Sequence, residues 1–280
     1  MINALEDTIP ELDLQLEEAD LRIMPHALNA AVDGMSTIIL LSNDTDILVA
    51  MLYFVREIKA HGGQTIWMRG GVGNTTRYIP IHTLATKMGP PLCKIIPAIH
   101  ALTGTDATSK FGTKAASVKM DDAVDFLVEF GIDPINIDFV KAEQFLASLW
   151  KRGFKTMDEL RYYLYHQQKK SLCELPPTSR ATREHILRAF HYTYSVIHSL
   201  TAASLDPTNF GYYEEDELLK PIEGHVLLPP DLPLPCTCCS CVTSRCKCRQ
   251  HAIPCCIYCK CAFNGECKNP HVVLNVPVQM

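Results

Sequence analysis

The sequence predicts an α/β protein that continues into a helical region and ends in a small cysteine-rich module. Three observations predict it. Residues 36–68 run strand, acidic turn, helix, strand; residues 93–200 place apolar side chains at helical spacing; and eleven of the thirteen cysteines fall between Cys236 and Cys267. With 280 residues and 47 % apolar content, the chain can bury one substantial core plus a satellite unit.

The first predicted element is a helix over 18–32, with Leu16, Ile23, Ala27 and Ala31 near one face and Pro25 where it would kink or restart the helix. Residues 36–41 (STIILL) form an unbroken β-branched and aliphatic run, the composition of a strand buried on both faces. Asn43-Asp44-Thr45-Asp46 follows at its end, then an apolar helix over 47–58 closed by His61-Gly62-Gly63, and a short strand over 64–68. That order is a parallel strand-helix-strand unit. A turn over 70–74 precedes a helix near 82–88. Beyond Pro90-Pro91 come a helix over 93–102, a polar turn over 103–109, and helices over 121–130, 139–150, 156–168 and 179–200. From 206 to 235 periodicity fades and prolines accumulate, the composition of an extended linker. The predicted domains are therefore 1–115, 116–205, a linker at 206–235 and the cysteine module at 236–270.

The opening MINALEDTIPELD has neither a basic n-region nor an apolar h-region. No apolar stretch approaches the roughly 20 residues of a membrane span. Secretion and membrane association are not expected. Only Cys93 and Cys173 lie outside the module, a skew that points to thiolates for metal in an intracellular protein, not to a disulfide framework. The formal charge of −5 is unevenly spread: Arg245, Lys247, Arg249, Lys260 and Lys268 face Glu266 alone within 236–270, a local +4 that leaves −9 elsewhere. Any surface for nucleic acid is local to the module.

The module reads CTCCSCVTSRCKCRQHAIPCCIYCKCAFNGECKNP. So short a segment has few apolar side chains for a core, and metal coordination must supply on the order of 10 kcal/mol per zinc towards folding it. Its C-x-C pairs, 236/238, 239/241, 246/248 and 259/261, are too dense for separate fingers and fit a shared cluster. Three tetrahedral ions need twelve ligand positions, which nine thiolates supply if three of them bridge. This spacing resembles the tesmin-type CXC domain, in particular the variant found in the male-specific-lethal ubiquitin ligases of dosage compensation. The resemblance implies about three zinc ions on Cys236, Cys238, Cys241, Cys246, Cys248, Cys256, Cys259, Cys261 and Cys267, followed by Lys268-Asn269-Pro270. Cys239 and Cys255 are surplus, and either can replace its neighbour. The resemblance also implies DNA or chromatin contact, through Arg245, Lys247 and Arg249, and a nuclear location. A plainer role for these basic residues is to offset the charge of the cluster, about −3.

The acidic strings form a second constellation. Glu17-Glu18-Ala19-Asp20, Asn43-Asp44-Thr45-Asp46 and Thr103-Gly104-Thr105-Asp106 each read singly as solvated turns or caps. In this order they resemble the flap-endonuclease and PIN-like nuclease superfamily, and a group of uncharacterised invertebrate proteins that couple them to a cysteine module. The resemblance implies a partial PIN-like parallel sheet. It also implies Mg2+ or Mn2+ held by Glu18, Asp20, Asp44, Asp46 and Asp106, with residues 104–114 near the DNA backbone. Two departures imply an incomplete or inactive nuclease domain. The early strand with its aspartate does not precede Glu18, and Lys110-Phe111-Gly112-Thr113-Lys114 stands where a G-x-G hairpin is usual. The expected function is a zinc-dependent, DNA- or chromatin-associated binding protein; the alternative is a Mg2+-dependent structure-specific nuclease. Gly70-Gly71-Val72-Gly73 reads as a turn, His26, His82 and His100 as structural or exposed, and the tyrosines at 162, 163, 165, 192 and 194 as packing residues.

Overall fold

A computed structural model of the chain describes residues 12, 14, 16, 18–111, 120–167, 174–201, 203–223, 236–238, 240–255, 259–263 and 267–271. Two compact units result: Met1–Thr156 with Ser179–Glu223, and Met157–Thr178 with Gly224–Met280.

The first unit is mixed α/β. A 3₁₀ turn, Ala19–Arg22, leads into α1, Ile23–Val32. The helix expected over 18–32 is thus divided just before Pro25, in line with the expected restart, and the proline sits in the first turn of α1, where a backbone N–H has no intrahelical acceptor. β1, Thr37–Leu41, and β2, Thr65–Gly70, are parallel and joined through α2, Thr45–Ala60. β3, Arg77–Pro80, then adds antiparallel to β2, giving the order β1-β2-β3. Four residues ending in proline offer no alternation to read, so β3 was not foreseen.

The expectation that β1 is buried on both faces is corrected by its strict alternation of exposed and buried residues. Ile38, Leu40, Ile66 and Met68 enter a core with Met24, Met51, Phe54 and Ile58. On the opposite face Ile39 is 52 % and Leu41 71 % exposed. A run of apolar residues therefore marked a strand here without fixing how many of its faces are covered.

α3, Ile81–Met88, and α4, Pro90–Thr103, pack on α2. Pro90 opens α4 at a position that suits its fixed φ. α5, Met120–Leu127, α6, Phe139–Ser148, and α8, Ser179–Ile197, complete the helical part, with α8 against α4 and α6. Helices on either side of the expected boundary at 115 pack on one another. The first part of the stretch expected as a linker contains regular structure. Pro207–Asn209 is a 3₁₀ turn, and β4, Tyr212–Glu215, pairs antiparallel with β5, Leu218–Pro221, in the first unit. Asp216 and Glu217, both with positive φ, form the two-residue turn.

The second unit holds α7, Met157–Gln167, and the cysteine module, where α9, Lys247–Gln250, and a 3₁₀ turn, Lys260–Phe263, are the regular elements among the described residues. No helix among the described residues is long and apolar enough to cross a membrane.

Candidate metal centre

Two groups of potential ligands are built, one in each unit. In the first unit the acidic turn caps α2. The backbone N–H of Asp46 donates to Asp44 Oδ1 at 2.8 Å, and that of Asp44 to Ser42 Oγ at 2.9 Å. Asn43 Oδ1 accepts from the N–H of Gly71 at 2.6 Å and lies so close to Gly70 that a Cβ there would meet it at 2.5 Å. The turn is thereby pinned to the end of β2.

The loop after α4 is fixed by Thr108, whose hydroxyl donates to the Ala101 carbonyl at 2.7 Å and accepts from the Thr105 N–H at 3.0 Å. Gly104, at φ +124, lets the Lys110 backbone approach to where a Cβ would clash at 2.6 Å. These turns bring Glu18, Asp20, Asp44, Asp46 and Asp106 to the wall of one cavity of about 370 Å³, with Tyr192 beside them. All five carboxylates singled out in the sequence line the same cavity. The stretch 112–114, expected near a DNA backbone, lies outside the described residues.

Asp46 is already engaged. His100 Nε2 donates to Oδ1 and the Tyr192 hydroxyl to Oδ2, each at 2.7 Å. The His100 bond holds the Asp46 carboxyl below its ordinary value, reinforced by Tyr192 and opposed by burial. Burial first, and then Asp46, pushes the Tyr192 hydroxyl strongly upward, so it stays a donor. His100, expected to be structural or exposed, and Tyr192, expected to pack, make this contact with a partner 54 and 146 residues away in sequence, beyond the reach of local pattern.

The second unit brings ligands much closer together. Three tetrads have all sulfurs within 4.8 Å of one another: Cys236, Cys241, Cys246 and Cys255; Cys236, Cys248, Cys255 and Cys259; and Cys241, Cys255, Cys261 and Cys267. Among the described residues only these cysteine sets converge so tightly; the five carboxylates do not. Sulfurs around a tetrahedral ion with Zn–S near 2.3 Å sit roughly 3.8 Å apart. The contacts match this: Cys236 to Cys241 3.6 Å, Cys236 to Cys255 3.8 Å, Cys241 to Cys255 3.6 Å, Cys248 to Cys259 3.6 Å. Cys238 lies 3.4 Å from Cys241. The residues fit a thiophilic metal, and the cluster is able to bind one.

Burial pushes the thiols of Cys236, Cys241 and Cys255 upward and those of Cys248 and Cys261 up to about 12. Burial also acts on Cys246, but the Arg249 N–H and the thiols of Cys238, Cys241 and Cys236 bring it down to about 6. So many buried thiols cannot ionise together without a cation, and metal binding here must release protons.

Cys255, set aside as surplus in favour of Cys256, belongs to all three tetrads. Cys256 and Cys239 lie outside the described residues. Of the basic residues, Arg245 and Lys247 are exposed, whereas the Arg249 guanidinium donates to the carbonyls of Cys241, at 3.3 Å, and Val242. Arg249 thus closes the loop around two ligands. Buried Asn269, named from the sequence only within the Lys268-Asn269-Pro270 string and given no role there, contacts Cys255.

A scan of family models finds no match for the chain, and neither the curated proteins nor the solved structures searched contain a match.

Proposed function

We propose that the chain is a zinc-dependent, DNA- or chromatin-associated binding protein of the nucleus, with a tesmin-like CXC module and a PIN-like domain that serves as scaffold. The observation that carries the reading is the overlap of the three cysteine tetrads. Placing Cys238 in the first tetrad instead of Cys255 gives nine thiolates on three zinc ions. Cys236, Cys241 and Cys255 then each bridge two ions, in keeping with their mutual separations of 3.6 to 3.8 Å. Zinc supplies the folding free energy and neutralises the thiolates. DNA contact falls to the exposed Arg245 and Lys247, with exposed Lys260 and Lys268 adding positive charge. Elemental analysis of the purified chain should find close to three zinc ions; one or none sinks the cluster. Binding to duplex DNA should weaken with Arg245→Glu and with rising salt. Affinity indifferent to both would reduce the module to a scaffold.

A second reading, a Mg2+- or Mn2+-dependent nuclease, is favoured by the convergence of five carboxylates on one cavity. Against activity stands Asp46, whose two oxygens are taken by His100 and Tyr192. Incubation with flap and single-stranded DNA in either ion decides: cleavage by the parent chain that is lost in both Asp44→Ala and Asp106→Asn would establish the nuclease and overturn the scaffold role.

A further inference from the structure

We propose that Asn269 is a positioning residue of the metal centre, donating an N–H···S hydrogen bond to Cys255, the sulfur common to all three tetrads. The inference rests on the cluster reading above. Asn269 is 2 % exposed, and both hydrogens of its amide are used: Nδ2 lies 3.2 Å from Cys255 Sγ and 2.9 Å from the carbonyl of Ile253. Its Oδ1 accepts the N–H of His271 at 3.2 Å.

The two donations have one effect. The bond to Ile253 fixes the chain two residues before Cys255, and the bond to sulfur then sets the direction of the thiolate. A thiolate shared between ions carries residual negative charge inside a cluster of about −3, and an N–H dipole aimed at it compensates part of that charge. Aspartate would aim an acceptor at both partners, and glutamine would carry the amide one methylene too far. The neighbouring backbone holds Asn269 in place, since the N–H of Lys268 donates to the Ser240 carbonyl at 2.9 Å. The last ligand, Cys267, and the first loop of the module are thereby tied through the residue that precedes Asn269. Because Cys255 is shared, loss of the donor acts on the ions that Cys255 bridges and spares the site completed by Cys238 and Cys246.

The test uses the full chain with cadmium-113 replacing zinc and asparagine labelled with nitrogen-15. The wild-type protein should show three cadmium resonances, and the Asn269 side-chain amide should be scalar-coupled to cadmium through the hydrogen bond. Asn269→Asp should move two cadmium resonances, leave the third in place, and speed zinc loss to a chromogenic chelator by roughly 10- to 100-fold. Three resonances with no coupling to the Asn269 amide overturn the inference while leaving the cluster intact, as does an Asn269→Asp variant that shifts all three equally or none. Fewer than two bound ions in the wild type removes the cluster reading itself and the inference with it. Should Asn269→Asp fail to fold, the wild-type coupling alone decides.

Discussion

The hydroxyl of Tyr192 donates to Oδ2 of Asp46 over 2.7 Å, joining α8 to the first turn of α2 across 146 residues of sequence. His100 on α4 completes the contact through Oδ1. One carboxylate thus ties three helices together. Tyr192→Phe removes one donor and should cost about 0.5–1.5 kcal/mol, whereas Asp46→Ala strands both partners and should cost about 1–3 kcal/mol. Asp44→Ala, which loses the cap of α2, should cost about 1 kcal/mol. Denaturant titration followed through Trp67 and Trp150, both in this unit, measures all three. An Asp46→Ala variant as stable as its parent would show that the carboxylate is held for a ligand and not for the fold.

The same carboxylate sets an acid limit. Its folded value lies below the ordinary 3.8, so its contribution is complete above about pH 4 and fades as pH falls through the folded value. Asp46→Asn should remove that part of the loss below pH 4, seen as a flatter fall of melting temperature with acid. An unchanged acid limb would assign it to other groups.

His185 acts at milder pH. It is 3 % exposed, stacks on Phe111 at 4.8 Å and has Nε2 2.9 Å from the Leu102 carbonyl, while Nδ1 has no partner among the described residues. Burial holds it below 6.5, aided by nearby Arg188 and opposed by the Leu102 bond. Above pH 6.5 both folded and unfolded chains carry it neutral; below that, the unfolded chain takes a proton that the folded one refuses. Stability should fall with acid from pH 6.5 downward, by at most about 1.4 kcal/mol per pH unit. His185→Gln keeps a donor for Leu102 and should flatten this slope. An equally steep slope in the variant would place the titration elsewhere.

What the sequence made legible follows from the range of the forces involved. Helices from 81 to 197 were readable within a few residues, because their apolar spacing and caps are local. The acidic strings were readable as a set because strand-turn-helix order brings turns to one sheet edge, and they do share a cavity. The engagement of Asp46 by His100 and Tyr192 was not, since only tertiary packing brings α4 and α8 to α2. The contact of Asn269 with Cys255 was equally hidden, because adjacent cysteines are equivalent by spacing and the amide lies fourteen residues further on.

Arg245 and Arg249 should separate experimentally although they share a charge. Arg249 holds the carbonyls of Cys241 and Val242, so Arg249→Ala should lower zinc retention in a chelator challenge. Arg245 is exposed, and Arg245→Glu should leave retention unchanged. Equal zinc loss in both variants would mean that the positive charge of the module, and not the loop closure, governs retention.

The exposed side of β1, as seen among the described residues, makes a prediction of its own. In register, Ile39 lies beside Trp67 and Pro80, and Leu41 beside Arg69 and Tyr78, so the exposed apolar residues of β1 continue a patch across three strands. Among the described residues β1 pairs with β2 alone, and a parallel pair with an exposed apolar face and such an edge is a template for association. Replacing Ile39 with Thr and Leu41 with Lys removes apolar surface without touching the core on the other face. The double variant should keep its stability within about 0.5 kcal/mol and scatter less light at high concentration. A loss above about 2 kcal/mol would instead mean that this face is covered in the folded protein in solution, and that Ile39 and Leu41 are core residues after all.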